Sequence, residues 1–117
     1  MKLEEIRAAL NAEVLAGEDM MDCEVISVCA SDLMSDIMYY VKKQTVLLTG
    51  LINAHAIRTA DMLDVNAIVF VGNKNPMQEI IDMARERNIA ILATEYTMYE
   101  ACGKLYSLGL PACVRNA

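Results

Sequence analysis

Basic residues are scarce in this 117-residue chain: ten lysines and arginines stand against sixteen aspartates and glutamates, for a net charge of −6. Nonspecific nucleic-acid binding is driven by counterions that a surplus of positive charge releases, so no nucleic-acid partner is expected. Long apolar runs are also missing. The longest uncharged stretch, residues 44–57, is broken by Gly50, Asn53 and His55, and it falls short of the ~20 apolar residues of a membrane span. Met1-Lys2-Leu3-Glu4-Glu5 places acids where a secretory leader has its basic and apolar regions. A cytoplasmic protein with reduced thiols and no membrane contact is the expectation. There is a single histidine, and none of Cys23, Cys29, Cys102 and Cys113 is spaced as C-x-x-C. Tetrahedral zinc and ferredoxin-type clusters therefore lack their ligand pattern, and no cofactor is expected. Neither the P-loop pattern nor G-x-G-x-x-G occurs.

What the chain has is apolar mass: 56% of it is hydrophobic, above the usual ~45–50%. Residues 1–117 read as one domain with an adequate core. Three short apolar runs, Val46-Leu47-Leu48-Thr49-Gly50, Ile68-Val69-Phe70-Val71-Gly72 and Ala90-Ile91-Leu92-Ala93-Thr94, begin 22 residues apart. Each is followed by helical spacing, the pattern of βαβ units whose parallel strands are covered on both sides. The stretch Glu24-Val25-Ile26-Ser27-Val28-Cys29 reads as a further strand and residues 12–16 as a short one, with Gly17 turning the chain. The expected architecture is α/β, with a mostly parallel sheet of four to five strands.

Helix ends are marked by their capping chemistry. Asn75-Pro76 with Gln78 reads as the start of a helix that buries Met77, Ile80, Ile81 and Ala84, with Asn88 at its left-handed end. Thr97 and Glu100 form a capping box ahead of Ala101, Leu105 and Leu108, and Gly109 stops that helix. Ser31 is expected to cap a helix with Leu33, Met34, Ile37, Met38 and Val41 on one face, and Asn53 a helix with Ile57 and Ala60 inward. Residues 2–10 form a modest amphipathic helix on Leu3, Ile6 and Leu10.

In a parallel sheet the functional crevice lies beyond the carboxyl ends of the strands. That edge collects Cys29, Ser31, Asp32, Thr49, Gly50, Asn53, Gly72, Asn73 and Thr94, with Lys74 and Glu95 beside them. Small residues admit a ligand to the backbone, while hydroxyls, amides and helix amino ends supply donors. A small anionic ligand or a nucleotide is the functional reading; the plainer one is that these residues only cap helices and make turns. Cys29 is either a thiol activated beside a helix start or a small buried residue. Asp32 and Asp36 suit a divalent cation or a solvated helix start. His55 has no partner arrangement that makes it a general base, and no catalytic residue is assigned. Residues 1–36 hold nine acids against two bases, which either steers a basic partner or solvates one face. The methionines and tyrosines left over from the core suggest a contact surface, with a second copy of the chain as its first candidate.

The segments Cys29-Ala30-Ser31-Asp32-Leu33-Met34-Ser35-Asp36, Leu48-Thr49-Gly50-Leu51-Ile52-Asn53, Ile57-Arg58-Thr59-Ala60 and Thr97-Met98-Tyr99-Glu100-Ala101-Cys102-Gly103 resemble the small stand-alone DRTGG-domain proteins of anaerobic bacteria. The resemblance runs over roughly residues 3–110. It implies a three-layer α/β/α fold similar to the N-terminal domain of HPr kinase/phosphorylase, and a regulatory or dimerisation role without established enzymatic activity. Relatives stand beside CBS domains in regulatory pyrophosphatases. Stand-alone members lie near hydrogenase-like and histidine-kinase-like proteins, and some are called iron–sulfur-binding hydrogenases. A hydrogenase-like or kinase partner, and a redox or iron–sulfur accessory role for Cys29 and Cys102, are what that context implies. The literal D-R-T-G-G signature is missing: Val71-Gly72-Asn73 stands where T-G-G would, keeping only Gly72.

Overall fold

The three apolar runs become the centre of a five-stranded sheet. The computed structural model describes residues 1–40 and 44–113, the Tyr40 side chain excepted. Strands β3 (Thr45–Thr49) and β4 (Ala67–Phe70) are buried at every position, as strands covered on both faces must be. β5 (Ala90–Ala93) continues the parallel sheet on one side of β4 and β2 (Ser27–Ala30) lies on the far side of β3. β1 (Glu13–Ala16) closes the other edge antiparallel to β5, giving the order β1-β5-β4-β3-β2.

Because β2, β3, β4 and β5 lie side by side in chain order, each right-handed crossover steps the same way. The crossover helices therefore collect on one face. These are α2 (Met34–Tyr40), α3 (Ala54–Met62) and α4 (Gln78–Glu86), which pack Ile37, Ile57 and Ala84 with Leu47, Ile68, Phe70 and Ile91. The opposite face takes α1 (Leu3–Ala9) and α5 (Met98–Ser107), whose Leu3, Ile6, Ala101 and Leu105 meet Val46, Leu48, Val69 and Leu92. Strand alternation sorts the side chains between the two layers. The expected three-layer α/β/α architecture is the one observed.

Local chemistry places the ends. The Asn53 side chain accepts from the Ala56 N–H at 3.2 Å, capping α3. At α5, Thr97 Oγ1 accepts from the Glu100 N–H at 3.3 Å while the Glu100 carboxylate accepts from the Thr97 N–H at 3.2 Å, a reciprocal box. Gly17 turns out of β1 with φ of +81°, and a Cβ there would lie 2.7 Å from Ala90, so only glycine fits.

Three expectations need correction. α4 begins at Gln78, not at Pro76: Met77 is extended at φ −67°, ψ 154° and caps without a side-chain hydrogen bond. Asn75 and Pro76 thus stay in the loop ahead of the helix, and Met77, itself the extended cap residue, is left 66% exposed. Leu33, Met38 and Leu108 are likewise exposed; Leu33 and Leu108 fall just outside their helices, and the seven-residue α2 has only a narrow inward stripe, on Met34 and Ile37. Val41 lies outside the described residues. The strand read over residues 24–29 is regular only from Ser27, since the Val25 N–H bonds to the Met1 carbonyl at 2.7 Å.

Candidate functional site

The carboxyl ends of β2, β3 and β4 lie on one edge because the strands are parallel. There the chain leaving β2 swings Asp32 across to the chain leaving β3. Asp32 Oδ1 accepts from the Gly50 N–H at 2.6 Å and from Thr49 Oγ1 at 3.1 Å. From the far side Lys74, beyond β4, donates through Nζ to the Gly50 carbonyl at 2.9 Å. A Cβ on Gly50 would lie 3.0 Å from Lys74 Nζ and 3.4 Å from Asp32 Oδ1. The bare backbone of Gly50 thus lets a carboxylate and an ammonium approach the same residue from opposite sides. Charge-assisted hydrogen bonds of this kind are about twice as strong as neutral ones.

The strand-end set divides into three groups. Asp32, Thr49 and Gly50 meet as described. Asn73 and Thr94 line a polar cavity of about 310 Å³, with Asn11, Glu13, Lys74 and Glu95 on its walls. Cys29 and Ser31 line a different, less polar groove of about 430 Å³, with Asp36, Cys102, Tyr106 and Cys113. Gly72, at φ +85°, supports the turn, with its ideal Cβ position 3.8 Å from Lys74 Cε, and Asn53 is occupied in capping α3.

Several donors expected to face a ligand are directed inward. The Gly72 N–H bonds to the Tyr96 carbonyl at 2.8 Å and the Asn73 N–H to the Thr94 carbonyl at 3.1 Å. Thr94 Oγ1 donates to the Leu10 carbonyl at 2.6 Å and accepts from the Tyr96 N–H at 3.2 Å, pinning the end of β5 to the segment after α1. Ser31 Oγ accepts from the Leu33 N–H at 3.0 Å, a local turn ahead of α2 rather than the cap itself. Lys74 thus brings a cation to this edge: its ammonium is held at the Gly50 carbonyl, and the residue also lines the polar cavity.

The activated-thiol reading of Cys29 does not hold. Cys29 lies within β2 and is buried, not presented at the strand's exit, and α2 begins only at Met34. Burial, reinforced by interaction with the Cys113 thiol, pushes the Cys29 thiol up to about 12. Burial also raises Cys102. The cation reading of the two aspartates fails for a geometric reason. Asp32 turns to Gly50 and Asp36 to the groove by Cys29, and no cluster of three or more His, Cys, Asp or Glu able to hold a metal occurs among the described residues. His55 is exposed on α3. No helix among the described residues is long and apolar enough to cross a membrane.

Lys74 and Glu95 fall on the strand-end edge already in the sequence. Asn11, Glu13 and Cys113 had no such signal, because they reach it through α1, the antiparallel β1 and the segment after α5.

No curated protein matches the chain. Among solved structures, the fold is similar to the CBS and DRTGG domains of the regulatory region of Clostridium perfringens pyrophosphatase, complexed with its activator, diadenosine tetraphosphate. The TM-score is 0.74 at 20% identity, over 98% of this chain and 51% of that one, so the chain spans about half the length of that structure. The DRTGG domain family model matches residues 5–108. With the five-stranded sheet and both helical layers lying almost wholly inside that span, the chain belongs to the DRTGG domain family.

Proposed function

We propose that this domain is a non-catalytic regulatory module that binds a small phosphate-bearing metabolite of the nucleotide class at the strand-end edge. The observation that carries the reading is Lys74, a residue that lines the polar cavity and whose ammonium is held 2.9 Å from the Gly50 carbonyl. In this reading Asp32, Thr49 and Gly50 fix the lysine's surroundings, Gly72 and Asn73 shape the turn that carries it, and Thr94 and Asn53 hold the flanking elements in place. Cys29 and Ser31 border the neighbouring groove. A phosphate supplies the negative charge that Lys74 takes, and the carboxylates of Glu13 and Glu95 accept from hydroxyl or amino groups of the same ligand. The likeness to a regulatory region complexed with a dinucleotide activator supports the choice of ligand class.

Thermal-shift measurements with AMP, ATP and diadenosine tetraphosphate test this. A ligand at a hundred times its Kd stabilises by about 2.7 kcal/mol, a rise of about 10 °C for a domain this size. The Lys74→Met variant should lose most of that rise. No shift with any of the three at millimolar concentration, or an undiminished one in the variant, refutes the reading.

A second reading, a docking or dimerisation module, is favoured by the exposure of Tyr99 and Tyr106 along α5 and of Leu33, Met38 and Met62 on the other layer. It predicts a concentration-dependent sedimentation coefficient for a second copy, or co-sedimentation with a hydrogenase-like or kinase protein. A protein that stays monomeric and binds neither counts against it.

A further inference from the structure

β2 is an edge strand of the sheet, yet its open side is not bare. The Val28 N–H donates to the Pro111 carbonyl at 3.0 Å, and the Cys113 N–H donates to the Val28 carbonyl at 2.9 Å. This places Val28 opposite Ala112 in a parallel bridge. One residue further along both chains, Cys29 stands opposite Cys113. Opposed residues on neighbouring strands point to the same face, and both cysteines pack against the core under α2, α3 and α4. Neighbouring strands run 4.7–4.9 Å apart, inside the 4.4–6.8 Å between Cα atoms that a disulfide spans. The two thiols are free and interact with one another. Cys102, which lines the same groove, packs against the opposite layer, and Cys23 is exposed elsewhere.

We propose that Cys29 and Cys113 are a reversible dithiol–disulfide site, oxidised by a small-molecule disulfide that enters the groove and locks segment 111–113 onto β2. Cys113 is half-buried whereas Cys29 is only 5% exposed, so exchange starts at Cys113. Its thiolate attacks one sulfur of the oxidant RSSR, forming a mixed disulfide and releasing RS⁻. The Cys29 sulfur, giving up its proton to solvent, then attacks Cys113 Sγ and expels the second RS⁻. Two protein thiols lose two electrons and two protons, and one RSSR becomes two RSH. In the reduced state two backbone hydrogen bonds hold the segment at that bridge. In the oxidised state a covalent bond closes a loop from residue 29 to residue 113, and the β2 edge stays covered whatever else competes for it.

The test uses the full chain and oxidised glutathione. Apart from a glutathione adduct on exposed Cys23, intact mass should fall by about 2 Da with no adduct retained on Cys29 or Cys113, peptide mapping should recover a Cys29–Cys113 link, and Tm should rise on the order of 10 °C. Excess reduced glutathione should reverse all three. Cys113→Ser should give no link and no rise, Cys29→Ser should stop at a glutathione adduct on Cys113, and Cys102→Ser should behave as the parent. Melting of each reduced variant verifies that it is folded. The proposal is overturned by a parent that takes up no disulfide, by a link through Cys102 or Cys23, by a disulfide that glutathione cannot reduce, or by a Tm rise that survives in Cys113→Ser.

Discussion

Replacing Asp32 by alanine removes the acceptor that holds β3's exit loop to the chain leaving β2. Two hydrogen bonds are lost at once, the one from the Gly50 N–H at 2.6 Å and the one from Thr49 Oγ1 at 3.1 Å. Hydrogen bonds to a charged group contribute about 1.5–3 kcal/mol each when protected from water. Asp32 is an exposed residue, so water takes over part of both roles and about 1–2 kcal/mol in total is the expected loss. Unfolding entropy is about 2.1 cal/mol/K per residue, or about 250 cal/mol/K for this chain, so Tm should fall about 4–8 °C. Asp32→Asn keeps an oxygen acceptor and surrenders the charge, and it should lose about half as much. Thr49→Val removes one donor and also the acceptor of the Leu51 N–H, which bonds to Thr49 Oγ1 at 3.2 Å. In a double-mutant cycle Asp32→Ala and Thr49→Val should therefore couple by at least about 0.5 kcal/mol. Urea titration with coincident circular dichroism and fluorescence transitions supplies the free energies. A loss under 0.5 kcal/mol for alanine, or an asparagine variant as damaged as alanine, refutes the assignment of Asp32 as the acceptor joining these loops.

Gly17→Ala must place a Cβ 2.7 Å from Ala90 at φ +81°, so it should cost more than the ~1 kcal/mol of an ordinary left-handed alanine; a melt within 2 °C of the parent would contradict that packing. Phe70→Ala empties a fully buried ring position in β4 and should cost about 3–5 kcal/mol by urea titration, with a cost below 1 kcal/mol inconsistent with the core described. Under reducing conditions, iodoacetamide at pH 8 should label exposed Cys23 well before Cys29. Because the Cys29 thiol is raised to about 12, its labelling rate should keep climbing about tenfold per pH unit through pH 10. A plateau near pH 8 would contradict it. Glu18, held below the usual carboxylate range by the Arg85 guanidinium, stabilises the fold above its unfolded-state pKa and loses that contribution as pH falls through its lowered folded-state value. Glu18→Gln should flatten the acid limb of the Tm–pH curve, and an unchanged limb would count against the ion pair.

The sheet was legible because a strand buried on both faces cannot hide: β3, β4 and β5 need continuous apolar sequence, and little else in the chain has it. Caps made by a side chain on its own helix were legible for a similar reason. Asn53 and Thr97 act over three residues, a range that sequence spacing displays. Apolar residues at helix margins were less so. Leu33, Met38, Met77 and Leu108 have inward chemistry but outward positions, since a short helix buries a narrow stripe and the residues beyond its ends follow the loop. The site was legible as an edge and not as contacts. Asp32 meets Gly50 across 18 residues and Lys74 meets it across 24, distances over which only the parallel order of strands decides who meets whom. Cys113 was beyond reach altogether. Its place opposite Cys29 depends on segment 111–113 returning to pair with β2, and that pairing rests on backbone hydrogen bonds that any sequence without proline at the donor positions can make.

The acid-rich start of the chain illustrates how topology rewrites a linear pattern. Nine of the acids lie in residues 1–36, which in the fold comprise α1 on one face and then β1 and β2. These two strands are the opposite edges of the sheet. Glu13 and Glu18 therefore stand at one edge while Asp32 and Asp36 stand at the other, and no single acidic face results. Glu4, Glu18, Asp22 and Glu24 are further matched by Arg7, Arg85, Lys2 and the amino group of Met1. A basic partner steered to one surface loses its main support. What the fold concentrates instead is a small region of mixed sign at the strand ends, with Lys74 and Asp32 both close to Gly50 and with Lys74, Glu13 and Glu95 among the residues that line the polar cavity. A bare inorganic anion is poorly matched there, because the residues lining the cavity bring two carboxylates against one lysine. A ligand that offers hydroxyl or amino donors along with its phosphate would turn both carboxylates from a penalty into acceptors, which is the argument for proposing the nucleotide class rather than free phosphate.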